Sequence, residues 1–218
     1  MSAEPPRTAI LISGSGTNLQ AFINRAASGD LAASIELVLS NRDDAYGLVR
    51  AREAGIPTAM VRHADFDSRE RFDRTMAARL DESGAELVVL AGFMRILSPW
   101  FVRRYLGRLL NIHPALLPNY PGLDTHQRVL DAGDTHHGST VHFVTEELDA
   151  GPCILQGRLP VAPSKTAAEL MHRVQQVEHR IYPEALNWVA TGRARFTDAQ
   201  AVIDGGSKPA PVVIDFDV

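Results

Sequence analysis

Two apolar periods alternate along this chain. Short, nearly solid apolar runs at Thr8–Ser13, Ile35–Ser40, Glu86–Ala91 and Leu109–His113 are separated by longer stretches with a helical repeat of apolar positions. A short solid run reads as a strand buried on both faces, and the 3.6 period as an amphipathic helix. The pattern predicts helices over Thr17–Ala27, Tyr46–Ala54 and Asp65–Ser83, a shorter one near Pro99–Tyr105, and a further short strand over Pro57–Val61 after Gly55. Strands alternating with helices build βαβ units. The expected fold is α/β, a three-layer Rossmann-like and mostly parallel sheet with helices on both faces.

After His113 the texture changes. Residues 114–138 are rich in Pro, Gly, Asp and His and read as a long loop with a short helix around His126–Ala132. Long ordered loops of this kind are often functional lids. Ser139–Val144 and Cys153–Val161 alternate as strands, in an antiparallel sense. A long helix follows from Thr166 to Thr191, opened by the capping-box pattern Thr166-Ala167-Ala168-Glu169. Its apolar stripe is Leu170, Met171, Val174, Val177, Ile181 and Ala185, and Pro183 should kink it. The expected organisation is an extension over 1–7, one domain over 8–203, with a phosphate-binding N-terminal half, and a peripheral tail over 204–218.

Composition narrows the function classes. The 218 residues carry 22 basic and 26 acidic side chains, a formal charge of −4 with no basic tail, which argues against a nucleic-acid partner. One cysteine excludes an intrachain disulfide and fits a reducing compartment. The first residues have no apolar core, and no run approaches the roughly 20 residues of a membrane span, so a cytoplasmic protein without a membrane partner is expected. Oligomeric state stays open, with a homodimer among the options.

Candidate chemistry centres on Asn111-Ile112-His113-Pro114. In a strand, residues two apart project to the same face, and Pro114 keeps His113 out of the helical region. An amide donor and a protonatable ring aimed at one spot suit an oxyanion forming on a carbonyl. Gly14-Ser15-Gly16-Thr17-Asn18 links a strand to a helix, where backbone N–H groups and the helix N-terminus favour an anion. Leu19 stands where a dinucleotide fingerprint needs a third glycine, and no Gly-Lys-Ser/Thr follows. A small phosphate monoester is the better ligand. Gln175 and Glu178 share a helical face. No metal is expected: the histidines form no His-Glu-x-x-His, and Cys153 has no partner in a zinc pattern. His136-His137 reads as a loop feature and Cys153 as a small buried hydrophobe.

The chain resembles the folate-dependent formyltransferases, most closely the branch acting on glycinamide ribonucleotide. The resemblance runs from Ala9 to about Gly192 and implies a phosphate and ribotide site in the N-terminal half of the domain and a folate site in the C-terminal half. Its blocks are Ile12–Gln20, Leu90-Ala91-Gly92-Phe93-Met94-Arg95-Ile96-Leu97-Ser98-Pro99, Asn111–Pro114, Val141-His142-Phe143-Val144 and Glu147–Pro152. It implies formyl transfer from 10-formyltetrahydrofolate, as co-substrate, to the ribotide's amine in purine synthesis. It assigns catalysis to Asn111, His113 and Asp149, with Asp149 keeping His113 charged. Gly16, Thr17 and Asn18 would hold the ribotide phosphate, and Gln175, Gln176, Val177 and Glu178 the rest of the ribotide. Arg69, Met94, Arg95, Ile96, Leu97 and Asn111 would contact the folate, as would Val144, Thr145, Glu146, Glu147, Leu148 and Asp149. Departures from the family pattern are Ser15 and Thr17 in the phosphate loop, Asn119 where Lys is common, and Asp124 for a frequent His or Asn. Rival readings are a formyltetrahydrofolate hydrolase and a non-catalytic nucleotide-binding module. A methionyl-tRNA formyltransferase would need a nucleic-acid surface and a further domain.

Overall fold

The computed structural model describes residues 4–161, 166–207 and 210–218, so part of the expected extension and of the tail lies outside the described residues. The chain divides into two compact units, residues 1–110 and 111–218.

In the first unit β1 (Arg7–Ile12), β2 (Ser34–Ser40), β3 (Thr58–Met60) and β4 (Leu87–Leu90) take the order β4-β1-β2-β3, every pair parallel. Helices α1 (Thr17–Ala27), α2 (Gly47–Glu53) and α3 (Arg69–Glu82) cross between them, and α4 (Pro99–Arg104) follows β4. The strands are solidly apolar because they are covered on both faces: Ile10, Leu11, Ile12, Val88 and Val89 have no exposed surface. Three helix starts follow from local chemistry. Ser68 caps α3 by accepting the Arg71 N–H, and Ser98 caps α4 by accepting from Phe101 with Pro99 in the first turn. The cap of α1 is Gly16 itself, left-handed at φ 70°, with no side-chain hydrogen bond. The long helix expected from Asp65 starts later: His63–Asp65 is a single 3-10 turn, and the helix waits for the Ser68 cap.

The division falls within β5 (Leu109–His113). The second unit adds α5 (Thr125–Ala132), β6 (His136–Phe143), β7 (Cys153–Pro160), α6 (Ala167–Ala190), the hairpin β8 (Ala194–Thr197) and β9 (Gln200–Ile203), and β10 (Val212–Asp215). Its strand order is β10-β7-β6-β5. β6 and β7 are antiparallel, as expected, and β10 joins β7 in parallel. The α/β fold with a mostly parallel sheet is therefore observed.

Four details differ from expectation. The loop after β5 is shorter, because β6 begins at His136, and His137 is a buried strand residue opposite Leu159. The tail contributes an edge strand whose Asp215 pairs with Arg158. The capping box of α6 is present, but Met171 is 37% exposed, and Glu178 shares the buried stripe with Leu170, Val174, Val177 and Ile181. The helix also continues through Pro183 to Ala190 as one element. No helix among the described residues is long and apolar enough to cross a membrane.

Candidate active site

Alternation along β5 brings Asn111 and His113 into one polar cluster of the second unit. His113 is buried, and both ring nitrogens face acceptors: Nε2 lies 2.8 Å from the Tyr120 carbonyl oxygen and Nδ1 lies 3.4 Å from Asp149 Oδ2. A neutral imidazole has one N–H and can serve only one of these; an imidazolium serves both. Asp149 sits in the turn between β6 and β7 with its side chain 7% exposed. Its φ is 53°, a left-handed conformation in which Asp and Asn are enriched. The same Oδ2 accepts the Gly122 N–H at 2.9 Å, tying the loop after β5 to this turn.

His142 joins Asn111 to this cluster. Its Nδ1 is 2.9 Å from the Phe143 carbonyl, which can only accept, so Nδ1 carries the proton. Its Nε2 is then a lone pair, and it takes a hydrogen from Asn111 Nδ2 at 3.2 Å. Burial pushes the His142 pKa down and keeps the ring neutral, the form this bond needs. His142 Nε2 also stands 4.0 Å from Asp149 Oδ1. The contacts run in a chain from Asn111 to His142, Asp149 and His113. The amide of Asn111 is thereby fixed with its nitrogen toward His142, leaving its second N–H for another acceptor.

Glu178 reaches the same region from α6. It is buried, and Ser139 Oγ lies 3.1 Å from its Oε1 and 2.8 Å from the His113 carbonyl oxygen. Of its expected companions, Gln175 is half-buried, Val177 is buried in the core and Gln176 is exposed. In the turn after β6, Val144 and Thr145 are partly covered, whereas Glu146, Glu147 and Leu148 are exposed.

The first unit holds the Gly-rich loop. Gly16 is buried, and a Cβ there would come within 2.7 Å of Gly47 Cα, so only glycine permits this approach of the loop to α2. Thr17 and Asn18 open α1, whose first amides have no intrahelical partner and suit an anion. Arg50, which the sequence reading missed, buttresses the loop: Nε donates to the Ser15 carbonyl at 2.9 Å and Nη1 to Gln20 Oε1 at 3.0 Å. Gly16→Ala should weaken ribotide binding while sparing folate binding, because the strain falls on one loop. Separate titrations of the two ligands check this; equal loss of both would contradict it.

After β4, Met94, Arg95 and Ile96 are exposed, while Phe93 and Leu97 are buried. Arg69 is an exposed residue in the first turn of α3.

A family model described as formyl transferase matches residues 6–186. The chain belongs to the formyl transferase family. Phosphoribosylglycinamide formyltransferase of Escherichia coli (strain K12) is 50% identical to this formyl transferase over 200 residues, 92% of this chain and 94% of that protein. The solved phosphoribosylglycinamide formyltransferase of Coxiella burnetii, in complex with CHES, is 51% identical with a TM-score of 0.88, covering 93% of this chain and 95% of that one. Glycinamide ribonucleotide transformylase 1 from Symbiobacterium toebii is 42% identical with a TM-score of 0.90 over the same shares.

Beside that polar cluster, the formyl transferase pairs the buried His137 with the partly covered His126. His126 Nδ1 and His137 Nε2 are 3.0 Å apart, and burial lowers both pKa values, that of His137 to about 4. A free histidine titrates near about 6.5, so between these values the unfolded chain binds more protons than the folded one. Stability from His137 is therefore complete above about pH 6.5 and drains away as pH falls toward 4. Thermal melts from pH 7 to 4 should show this decline, and His137→Gln should flatten it. An unchanged slope in the variant would remove His137 from the explanation.

Proposed function

We propose that this protein transfers a formyl group from 10-formyltetrahydrofolate to the amine of glycinamide ribonucleotide, a step of purine synthesis in the cytoplasm. The observation that carries the reading is the buried cluster of Asn111, His142, Asp149 and His113. It presents a fixed amide donor and a ring suited to positive charge, the pair an oxyanion requires.

The amine attacks the formyl carbon, and the carbonyl oxygen gains negative charge. The second N–H of Asn111 donates to it. The His113 ring, whose Nδ1 stands 3.4 Å from Asp149 Oδ2, supplies a further N–H to the new anion. The Asp149 carboxylate stays beside the ring as the adduct forms. The amine loses its proton, and the tetrahedral adduct collapses with release of tetrahydrofolate nitrogen, which takes up a proton.

For the ribotide, Gly16, Thr17 and Asn18 bind the phosphate, and the Glu178 carboxylate holds the amine with Gln175, Gln176 and Val177 around it. For the folate, the assigned contacts are Arg69, Met94, Arg95, Ile96 and Leu97 together with Asn111 and Val144 to Asp149. Tetrahydrofolate formation followed by absorbance, with and without glycinamide ribonucleotide, tests the reading. Formation should require the ribotide; equal rates without it would indicate hydrolysis instead.

A further inference from the structure

Two buried side chains outside that mechanism, Ser13 and Asp73, end on the same short loop. Ser13 closes β1 and is 6% exposed. Its hydroxyl donates to Asn41 Oδ1 at 2.6 Å and accepts the Met94 N–H at 2.8 Å, so both of its roles are defined. The Ser13 N–H in turn donates to the Gly92 carbonyl at 3.1 Å. Asn41 is itself buried at 2% exposure and meets the His63 ring at 3.2 Å, which fixes its amide. At the other end of the loop, the Asp73 carboxylate is fully buried, and Oδ2 accepts the Ser98 N–H at 2.5 Å. Between these anchors, Met94 and Ile96 are 71% and 59% exposed.

The state of Asp73 argues against a purely stabilising part. Its Oδ1 is buried with no hydrogen-bond partner among the described residues. A buried polar atom left unsatisfied is destabilising, and such atoms in native proteins call for a reason other than stability. An acceptor at this point sets the main chain at Ser98, where the loop ends and α4 begins, and its carboxylate also faces the charges of Arg69 and Arg95. Ser13 sets the main chain at Met94, where the exposed stretch begins. A backbone surface that must match a planar heterocycle needs its N–H and C=O vectors fixed before the ligand arrives, because ordering them on binding costs affinity.

We propose that Ser13 and Asp73 are positioning residues that clamp the main chain of residues 94–98 at its two ends in the conformation that receives the folate heterocycle. The proposal rests on the reading of Met94 to Leu97 as a folate contact. Ser13 leads directly into the Gly14–Asn18 loop, but its hydroxyl is spent on Asn41 and Met94, so its loss falls on the folate side. Asp73→Asn keeps a carbonyl acceptor for the Ser98 N–H, whereas Asp73→Ala removes it.

The test measures dissociation constants of tetrahydrofolate and of glycinamide ribonucleotide separately, for the wild type, Ser13→Ala, Asp73→Asn, Asp73→Ala and Ile96→Glu, with circular dichroism and melting to establish folding. Ser13→Ala and Asp73→Ala should weaken tetrahydrofolate about five- to tenfold, the effect of one lost hydrogen bond, and leave the ribotide unchanged. Asp73→Asn should restore near-wild-type affinity. If Asp73→Ala fails to fold, Ser13→Ala and Asp73→Asn still decide. Equal weakening of both ligands, or no weakening in folded Ser13→Ala, overturns the proposal while Ile96→Glu still weakens folate. If Ile96→Glu leaves folate binding intact, the loop is no folate contact, and the proposal falls with that reading.

Discussion

Asn111→Ala should lower turnover by about a hundred- to a thousandfold, the usual effect of losing one oxyanion donor. The side chain does little for stability: Asn111 is only partly buried at the end of β5, and its loss leaves one His142 lone pair unmatched, a cost of roughly 1 kcal/mol. The effect should fall on kcat, because the bond forms only as the formyl oxygen becomes an anion. His142→Phe should act in the same direction but less strongly, since the amide remains and loses only its fixed orientation. Steady-state kinetics with melting curves for both variants check this order. Near-normal turnover in folded Asn111→Ala would remove the amide from the chemistry.

Asp149→Asn should reduce turnover by about a hundredfold or more while both substrates still bind. Asparagine keeps the size of the side chain and an oxygen for the Gly122 N–H, and it tolerates the left-handed backbone at φ 53°. What it removes is the anion 3.4 Å from His113 Nδ1. The other ring nitrogen already faces the Tyr120 carbonyl, so a ring carrying both N–H groups would keep only one of its two strong acceptors. Binding titrations beside turnover separate the two effects. Asp149→Ala is a poorer probe, because alanine would also strain the turn. Parallel loss of binding and turnover in Asp149→Asn would make the residue a scaffold of the loop.

Much of this arrangement is legible in the sequence where local chemistry decides the outcome. The bounds of α1 follow from Gly16 before it, and β5 ends at His113 because Pro114 follows. The Asn-x-His spacing in a strand is enough to place both side chains in one cluster. The remainder depends on partners remote in the chain. His142 stands in the apolar strand Val141-His142-Phe143, where a lone histidine looks like a core residue; only the placing of β6 next to β5 gives it Asn111. The β8–β9 turn places Asp198 and Ala199 at φ 50° and 58° without the glycine or asparagine that would announce it. β10 pairs in parallel with β7 across a long separation, so no local signal marks it. Glu178 looks like a solvated helical charge until Ser139 is seen against it.

The formyl carbon is expected to pass to the ribotide amine at the Asn111–His142–Asp149–His113 cluster. Carbon-13 in the formyl group of the folate follows that atom directly. With glycinamide ribonucleotide present, the label should appear as a formamide on the ribotide, one equivalent for each tetrahydrofolate formed, and Asn111→Ala should slow its appearance in proportion to turnover. Label recovered as free formate, at a rate indifferent to the ribotide, would contradict the account.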